Sequence, residues 1–203
     1  MFGRAQKQAS QSRAAGKAAK LHSIALMLRG RTFAGKVDVG DVSHIFTYSP
    51  ASAAVAGGKL QLTGNLTVTD ARSNAGVSPH DLSGVRATLV AAQSGIGIAP
   101  PRKKLPQEIY ATRPDLPIVE STGSLSFCGV LYFKLAPLDG RNLGMPADLK
   151  QLQLNVRLAP VSDAERALQA AFSAAVDALY GQQVDTGAAN TAVSELNTLL
   201  TGS

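Results

Sequence analysis

The sequence predicts an α+β fold, in which a five- or six-stranded antiparallel sheet is followed by two C-terminal helices that pack on one of its faces. Three observations lead to this prediction. Apolar and polar residues alternate with a period of two through the middle of the chain, turn residues separate these stretches, and a helical period replaces the alternation after residue 160. A chain of 203 residues is long enough for one domain of ordinary size with an appendage.

The strands are predicted from the alternation of side chains. It is strict at residues 59–70, where apolar residues from Leu60 to Val68 share one face, and at residues 149–158. Shorter or weaker patterns predict further strands at 36–39, 42–48, 85–91 and 124–135. Because turns rather than helices connect these segments, the neighbouring strands are expected to be antiparallel.

One connection, residues 93–122, is unlike the others because it holds five of the ten prolines. Proline cannot donate a hydrogen bond to a neighbouring strand, so this segment is expected to leave the sheet. It then carries the basic triplet Arg102, Lys103 and Lys104 on the surface as a long insertion.

The C-terminal region, residues 161–203, predicts two amphipathic helices. Ser162 and Glu165 have the spacing of a capping box, and Gly181 supplies a stop. A second, shorter helix is predicted at 188–200. The residues of the first helix expected to pack against the sheet or a partner subunit are Leu168, Phe172, Val176 and Leu179.

The apolar face of the sheet needs a cover, and these two helices are the candidates in this chain. Two helices are expected to cover only part of the apolar face of five strands. Part of the cover is therefore expected to come from a second copy, in an interlocked homodimer.

The formal charge of +6 is concentrated at the N-terminus. Of the 20 basic residues, eight lie in residues 1–37, which hold no acidic residue, so that 12 basic and all 14 acidic residues remain in the rest. This division predicts a basic arm at 1–37, a sheet domain at 38–160 and the helices thereafter. The basic residues of the arm are Arg4, Lys7, Arg13, Lys17, Lys20, Arg29, Arg31 and Lys36.

Several interpretations of the arm remain open. Its apolar stretch is interrupted and lacks a small-residue cleavage site, which is poor for a signal peptide. Its content of Ala, Ser and Arg without acidic residues is compatible with an organelle transit peptide. It is equally compatible with a nucleic-acid-binding arm, which gains affinity by releasing counterions from a polyanion, and with a merely solvated tail.

The polar face of the sheet is the second candidate for binding RNA. Flat polar surfaces that carry Lys and Arg suit the irregular backbone of folded RNA, although any solvent-facing side of an antiparallel sheet has a similar composition. The residues nominated for RNA contact are Lys59, Gln61, Thr63, Asn65, Thr67, Arg86, Thr88, Lys134, Asn155 and Arg157.

Residues 130–181 predict two long strands joined by an exposed loop, followed by an acidic helix start at 162–167, and a second short helix completes the chain. This order resembles the C-terminal part of coat proteins from single-stranded RNA phages of the levivirus group. The resemblance implies a five-stranded sheet whose helices clasp a partner subunit and whose open face lines the capsid interior against RNA. It also implies that the loop at 136–148 shapes contacts between dimers.

The candidates for catalysis are weak. His22, His44 and His80 lack the spacing of metal ligands, and Cys128 falls within an apolar strand, where a cysteine is usually a small core residue. No enzyme activity, metal, cofactor or small-molecule substrate is therefore expected. No apolar run approaches the length of a membrane span.

These expectations together predict a virion coat protein that self-assembles from dimers and packages RNA. The alternative is a secreted or envelope-associated β-sandwich that binds or scaffolds, whose basic N-terminal segment is cleaved or serves as an anchor.

Overall fold

The computed structural model describes residues 19–71, 79–94, 129–145, 147–181 and 183–202. In these ranges the chain forms strands and two α-helices, with a short 3-10 helix at Gly140–Leu143. The strands are β1 (Ala19–Lys20), β2 (Ser23–Arg29), β3 (Thr32–Val39), β4 (Val42–Ala56), β5 (Lys59–Asp70), β6 (His80–Ser94), β7 (Gly129–Leu135), β8 (Leu138–Asp139), β9 (Ala147–Leu149) and β10 (Gln153–Arg157). The helices are α1 (Asp163–Tyr180) and α2 (Thr186–Thr201). The predicted α+β class, with a mostly antiparallel sheet and two C-terminal helices, is confirmed.

The main sheet is a closed barrel of seven strands in the order β10-β2-β3-β4-β5-β6-β7. The prediction of five or six strands in an open sheet is therefore wrong. All neighbours are antiparallel except β10 and β2, which run parallel and pair from Gln153 with Ser23 to Arg157 with Met27. A second, small sheet has the order β1-β9-β8.

The barrel curves because its longest strands are bent. The register shifts between Pro50 and Ser52 in β4, and again between Gly64 and Leu66 where β5 pairs with β6. Such irregularities bend a strand and increase its twist. Gly64 is needed at the first bend, because a Cβ atom at this position would lie 2.3 Å from the carbonyl oxygen of Ser49.

Helix α1 packs against the inner face of the barrel. The ring of Phe172 lies 6.0 Å from that of Phe33 in β3 and 6.5 Å from that of Phe133 in β7, measured between centroids. Phe33 also stacks on Tyr48 in β4 at 6.0 Å. All four rings are fully buried, so α1 and three strands share one aromatic core.

This arrangement changes the expectation about the dimer. The four helix residues nominated for packing are all buried within the single chain: Leu168, Phe172, Val176 and Leu179. Because the sheet closes on itself around its apolar face, a partner subunit is not needed to cover that face.

Both ends of α1 are attached to barrel strands. The predicted capping box is confirmed at the N-terminus, where the Ser162 hydroxyl accepts a hydrogen bond from the Glu165 amide at 3.2 Å. The Glu165 carboxylate also accepts from the amides of Val161 at 2.6 Å and Gly30, in the β2–β3 turn, at 2.7 Å. At the other end the Tyr180 hydroxyl donates to the carbonyl of Leu89 in β6 at 2.8 Å.

Helix α2 covers a strand edge. Strand β4 pairs with β3 only from Val42 to Tyr48, so the second half of β4 lacks a neighbour on that side. There the Asn197 side chain accepts a hydrogen bond from the Ala53 amide at 2.7 Å and donates to its carbonyl at 3.0 Å. One amide side chain thus replaces the missing strand at this position.

Part of the predicted arm lies in the barrel. Residues 23–37 form β2 and most of β3, so Arg29, Arg31 and Lys36 belong to the folded body. Residues 1–18, with Arg4, Lys7, Arg13 and Lys17, lie outside the described residues. The described part of the chain carries 11 of the 20 basic and 11 of the 14 acidic residues, so its own charges balance.

The remaining differences concern connections. Gln93 and Ser94 end β6, while residues 95–128, with the basic triplet and Cys128, lie outside the described residues. The predicted strand at 149–158 divides into β9 and β10. The loop at 136–148 contains β8, the 3-10 helix and the start of β9, and its Leu143 and Met145 are buried rather than exposed.

Candidate nucleic-acid interface

The residues nominated for RNA contact lie on β5, β6, β7 and β10, which are consecutive neighbours in the barrel. We call the outward-facing residues of these four strands the outer wall. Their positions follow from the period-two alternation, because the inner face of the same strands is apolar. Since the sheet is closed, the outer wall is the curved outside of a barrel and not the flat face that the sequence predicts.

Part of the outer wall forms a continuous row across neighbouring strands. Gln153 in β10 pairs with Lys134 in β7, Lys134 pairs with Thr88 in β6, and Thr88 pairs with Gln61 in β5. The Gln61 side chain donates a hydrogen bond to the Thr88 hydroxyl at 3.3 Å. Three of the nominated residues therefore stand next to one another, although they are far apart in sequence.

The outer wall carries four exposed cations, Lys59, Arg86, Lys134 and Arg157. Ion pairs between described residues join Arg141 to Asp139 and Arg166 to Asp163, and none involves these four. Lys59 is placed by a two-residue turn at Gly57 and Gly58, which have φ values of 58° and 71°. Such positive φ angles are typical of the tight turns that connect antiparallel strands.

Two further nominated residues also have partners within the chain. Asn155 is buried, and its side-chain oxygen accepts a hydrogen bond from Gln153 at 2.7 Å. Thr67 donates to the Asp81 carboxylate at 2.6 Å. Asp81 therefore places one acidic side chain on the outer wall.

An open cavity of about 540 Å³ lies on the outer face of the barrel, where it spans the β7 and β10 part of the outer wall and the neighbouring strands β2 and β3. We call this cavity the groove. Apolar side chains form most of its surface, and the outward-facing ones are Ala25, Met27, Ala34, Val130 and Tyr132. The small residues on β2 and β3 leave the space that larger side chains would fill.

The polar residues of the groove are Lys36, Asn155 and Arg157, and no acidic residue lines it in the described part of the chain. At Gly35 a Cβ atom would lie 2.3 Å from the carbonyl oxygen of Ala25, so only glycine permits this close approach of β3 to β2. Tyr132 is buried, and its hydroxyl donates to the Gln93 side chain at 3.1 Å.

The described titratable groups with shifted pKa values stabilise the fold through hydrogen bonds to the backbone. Hydrogen bonds from the amides of Val161 and Gly30 lower the pKa of Glu165. Burial raises the pKa of Tyr180 to about 12 and also raises that of Tyr48, whose hydroxyl donates to the Val85 carbonyl at 2.9 Å. These groups bond to the backbone inside or at the ends of the barrel, away from the outer wall.

Two further findings concern metals and membranes. In the described ranges, no three His, Cys, Asp or Glu residues are grouped so that they could hold a metal ion. Among the same residues, neither helix combines the length and the hydropathy needed to cross a bilayer.

Comparison with protein-family models, with curated proteins and with solved structures finds no match for this chain.

The groove is the feature that the sequence analysis missed. Its strand β2 was assigned to the basic arm, although Ile24, Leu26 and Leu28 alternate with more polar or smaller residues and are all buried. This period-two signal predicts a strand. The parallel pairing of β2 with β10 has no such local signal.

Proposed function

We propose that this chain is a coat-type structural protein that binds single-stranded RNA through the outer wall of its barrel. The observation that supports the proposal is the position of four exposed cations and several amide and hydroxyl side chains on four consecutive strands. Cations contact phosphates, while Gln, Thr and Asn side chains can bond to ribose hydroxyls and to base edges.

The curvature of the outer wall favours a flexible single strand over a rigid duplex. A single strand can follow a convex surface, with its phosphates turned toward Arg86, Lys134 and Arg157. The four cations of the arm that precede β1 in the sequence, Arg4, Lys7, Arg13 and Lys17, would add contacts without sequence preference.

Assembly into a shell is the second part of the proposal, and the resemblance to phage coat proteins supports it. Because the apolar side chains of α1 are buried against this chain's own barrel, copies would associate through their outer surfaces rather than by exchanging helices. We propose a homodimer as the first step and the virion as the location.

Purification of the full chain at low salt tests both parts. We expect large particles in size-exclusion chromatography with light scattering, and the ratio of absorbance at 260 and 280 nm should show bound RNA. A small species free of nucleic acid would contradict the coat-protein proposal and would favour the alternative of a secreted or envelope-associated binding module.

The outer wall is tested by changing its cations Lys59, Arg86, Lys134 and Arg157 to Gln. The matched control changes four exposed cations elsewhere, Lys20, Arg141, Lys150 and Arg166, so that both variants have the same net charge. With a single-stranded RNA oligomer, each lost phosphate contact should reduce the salt dependence of log K by about 0.7. Equal losses in the two variants would show that net charge alone drives binding, against the proposal.

A further inference from the structure

We infer that the groove is a binding site for an amphipathic carboxylate, with its alkyl chain along the apolar surface and its carboxylate bound to the exposed cations Lys36 and Arg157. The site overlaps the RNA contacts proposed above at Asn155 and Arg157 and is otherwise distinct from them. The groove has a volume of about 540 Å³, within the range of roughly 300–1,000 Å³ that is usual for small-molecule sites.

The apolar part of the groove indicates that most of the ligand is apolar. The outward-facing apolar side chains that line it are those of Met27, Val130, Tyr132, Ala25 and Ala34. An alkyl chain placed there removes apolar surface of both the ligand and the groove from water. It carries no polar group that would lose a hydrogen bond on burial.

The charged residues of the groove indicate the charge of the ligand's polar group. Lys36 on β3 and Arg157 on β10 are exposed cations, and no acidic residue lines the groove in the described part of the chain. An anion is therefore attracted and a cation repelled. The planar guanidinium of Arg157 can donate two hydrogen bonds to one carboxylate.

A nucleobase suits this groove less well than an alkyl chain. A base edge carries several donors and acceptors, whereas Asn155 supplies the amide side chain that lines the groove among the described residues, and its oxygen is already bonded to Gln153. The hydroxyl of Tyr132 is likewise engaged with Gln93. Most polar atoms of a buried base edge would thus lack protein partners.

Isothermal titration calorimetry with octanoate, decanoate and dodecanoate, each below its micelle concentration, tests the inference on the full chain. We expect one carboxylate per chain, with an affinity that rises about fourfold for each added methylene. Decyltrimethylammonium, which has a similar chain but the opposite charge, should bind at least tenfold more weakly than decanoate. Equal affinity for the two, or many weakly bound molecules per chain, would overturn the inference.

Two variants locate the site. Ala34→Phe should fill the groove and abolish dodecanoate binding while leaving RNA affinity unchanged, because it removes no cation from the outer wall. Should this variant fail to fold, as judged by circular dichroism, the double change Lys36→Gln and Arg157→Gln provides the test. It should weaken dodecanoate binding about tenfold.

The matched control for the double variant changes Arg86 and Lys134 to Gln, which removes the same charge outside the groove. It should bind dodecanoate like the parent chain. An equal loss in control and variant would overturn the assignment of the carboxylate to this groove. Failure of the RNA experiments would leave these carboxylate measurements unaffected, so the two proposals can fail separately.

Discussion

The inner and outer faces of the barrel are made by the same strands but have different properties. On β5, Leu60 and Leu62 are fully buried against the interior, whereas Lys59 is exposed and Gln61 faces the outside. Adjacent residues therefore belong to different environments, because successive side chains of a strand point to opposite faces. Substitutions on the inner face should change stability, and substitutions on the outer face should change binding.

The interior depends on contacts between elements that are distant in sequence. Phe33, Phe133 and Phe172 come from β3, β7 and α1, and their rings meet in one buried cluster. On the outside, residues such as Lys134 and Thr88 contact mainly their neighbours on adjacent strands. Truncation of an inner side chain thus leaves a cavity, whereas water fills the space left by truncation of an outer side chain.

The largest effect is expected from Phe172→Ala, which removes the ring of α1 that reaches two strands. We expect a loss of about 3–5 kcal/mol in the free energy of unfolding, measured by urea denaturation. The control is Ile45→Ala, since Ile45 is a large apolar residue on the outer face of β4 and is 47% exposed. This control should lose less than about 1 kcal/mol. Similar losses in both variants would mean that the two faces do not differ in this way.

An intermediate effect is expected from Asn197→Leu. The change keeps the size of the side chain but leaves the amide and the carbonyl of Ala53 without their partner, which should cost about 1–3 kcal/mol. Hydrogen exchange of the Ala53 amide should accelerate more than that of amides in β5.

Thr198→Ala, on the exposed side of the same helix, is the control for Asn197→Leu and should leave the exchange rate of the Ala53 amide unchanged. Unchanged protection of this amide in Asn197→Leu would show that α2 does not complete the edge of β4.

The smallest effect on the fold is expected from Glu165→Gln, and it should depend on pH. The folded-state pKa of Glu165 lies below its unfolded value, so the carboxylate stabilises the protein at neutral pH and loses this contribution as the pH falls through the folded-state pKa. The difference in urea midpoint between parent and variant should therefore be largest at pH 7 and shrink toward pH 3.

Glu195→Gln, which changes an exposed carboxylate on α2, is the control for this pH dependence and should shift the urea midpoint little at any pH. A constant difference between the parent and Glu165→Gln across the pH range would show that ionisation of Glu165 does not link α1 to the β2–β3 turn.

Local patterns in the sequence are sufficient to find some elements and not others. The bounds of β5 match the prediction because twelve residues alternate without a break, and α1 matches because a cap and a stop enclose a helical period. The pattern at 42–48 stops well short of the end of β4 at Ala56. After Pro50 the strand bends and its register shifts, which ends the simple alternation.

The candidate sites show the same limit. Gln61, Thr88 and Lys134 could be assigned to the polar face because each lies within a recognisable alternating segment. Lys36 and Tyr132 could not be connected with a groove, because the groove exists only where β7, β10, β2 and β3 meet. That meeting depends on the parallel pairing of β10 with β2, which are separated by more than a hundred residues in the sequence.

The amino-acid sequence by itself determined where apolar and polar faces alternate, where α1 begins and ends, and which cations of β5, β6, β7 and β10 face outward, because these properties depend on residues close together in the chain. The tertiary structure alone decided that the sheet closes into a barrel, that α1 packs against its inner face, and that a groove forms across β7, β10, β2 and β3. The physical reason is that closure depends on bends and pairings between distant strands, whose energies are summed only when the whole sheet has formed.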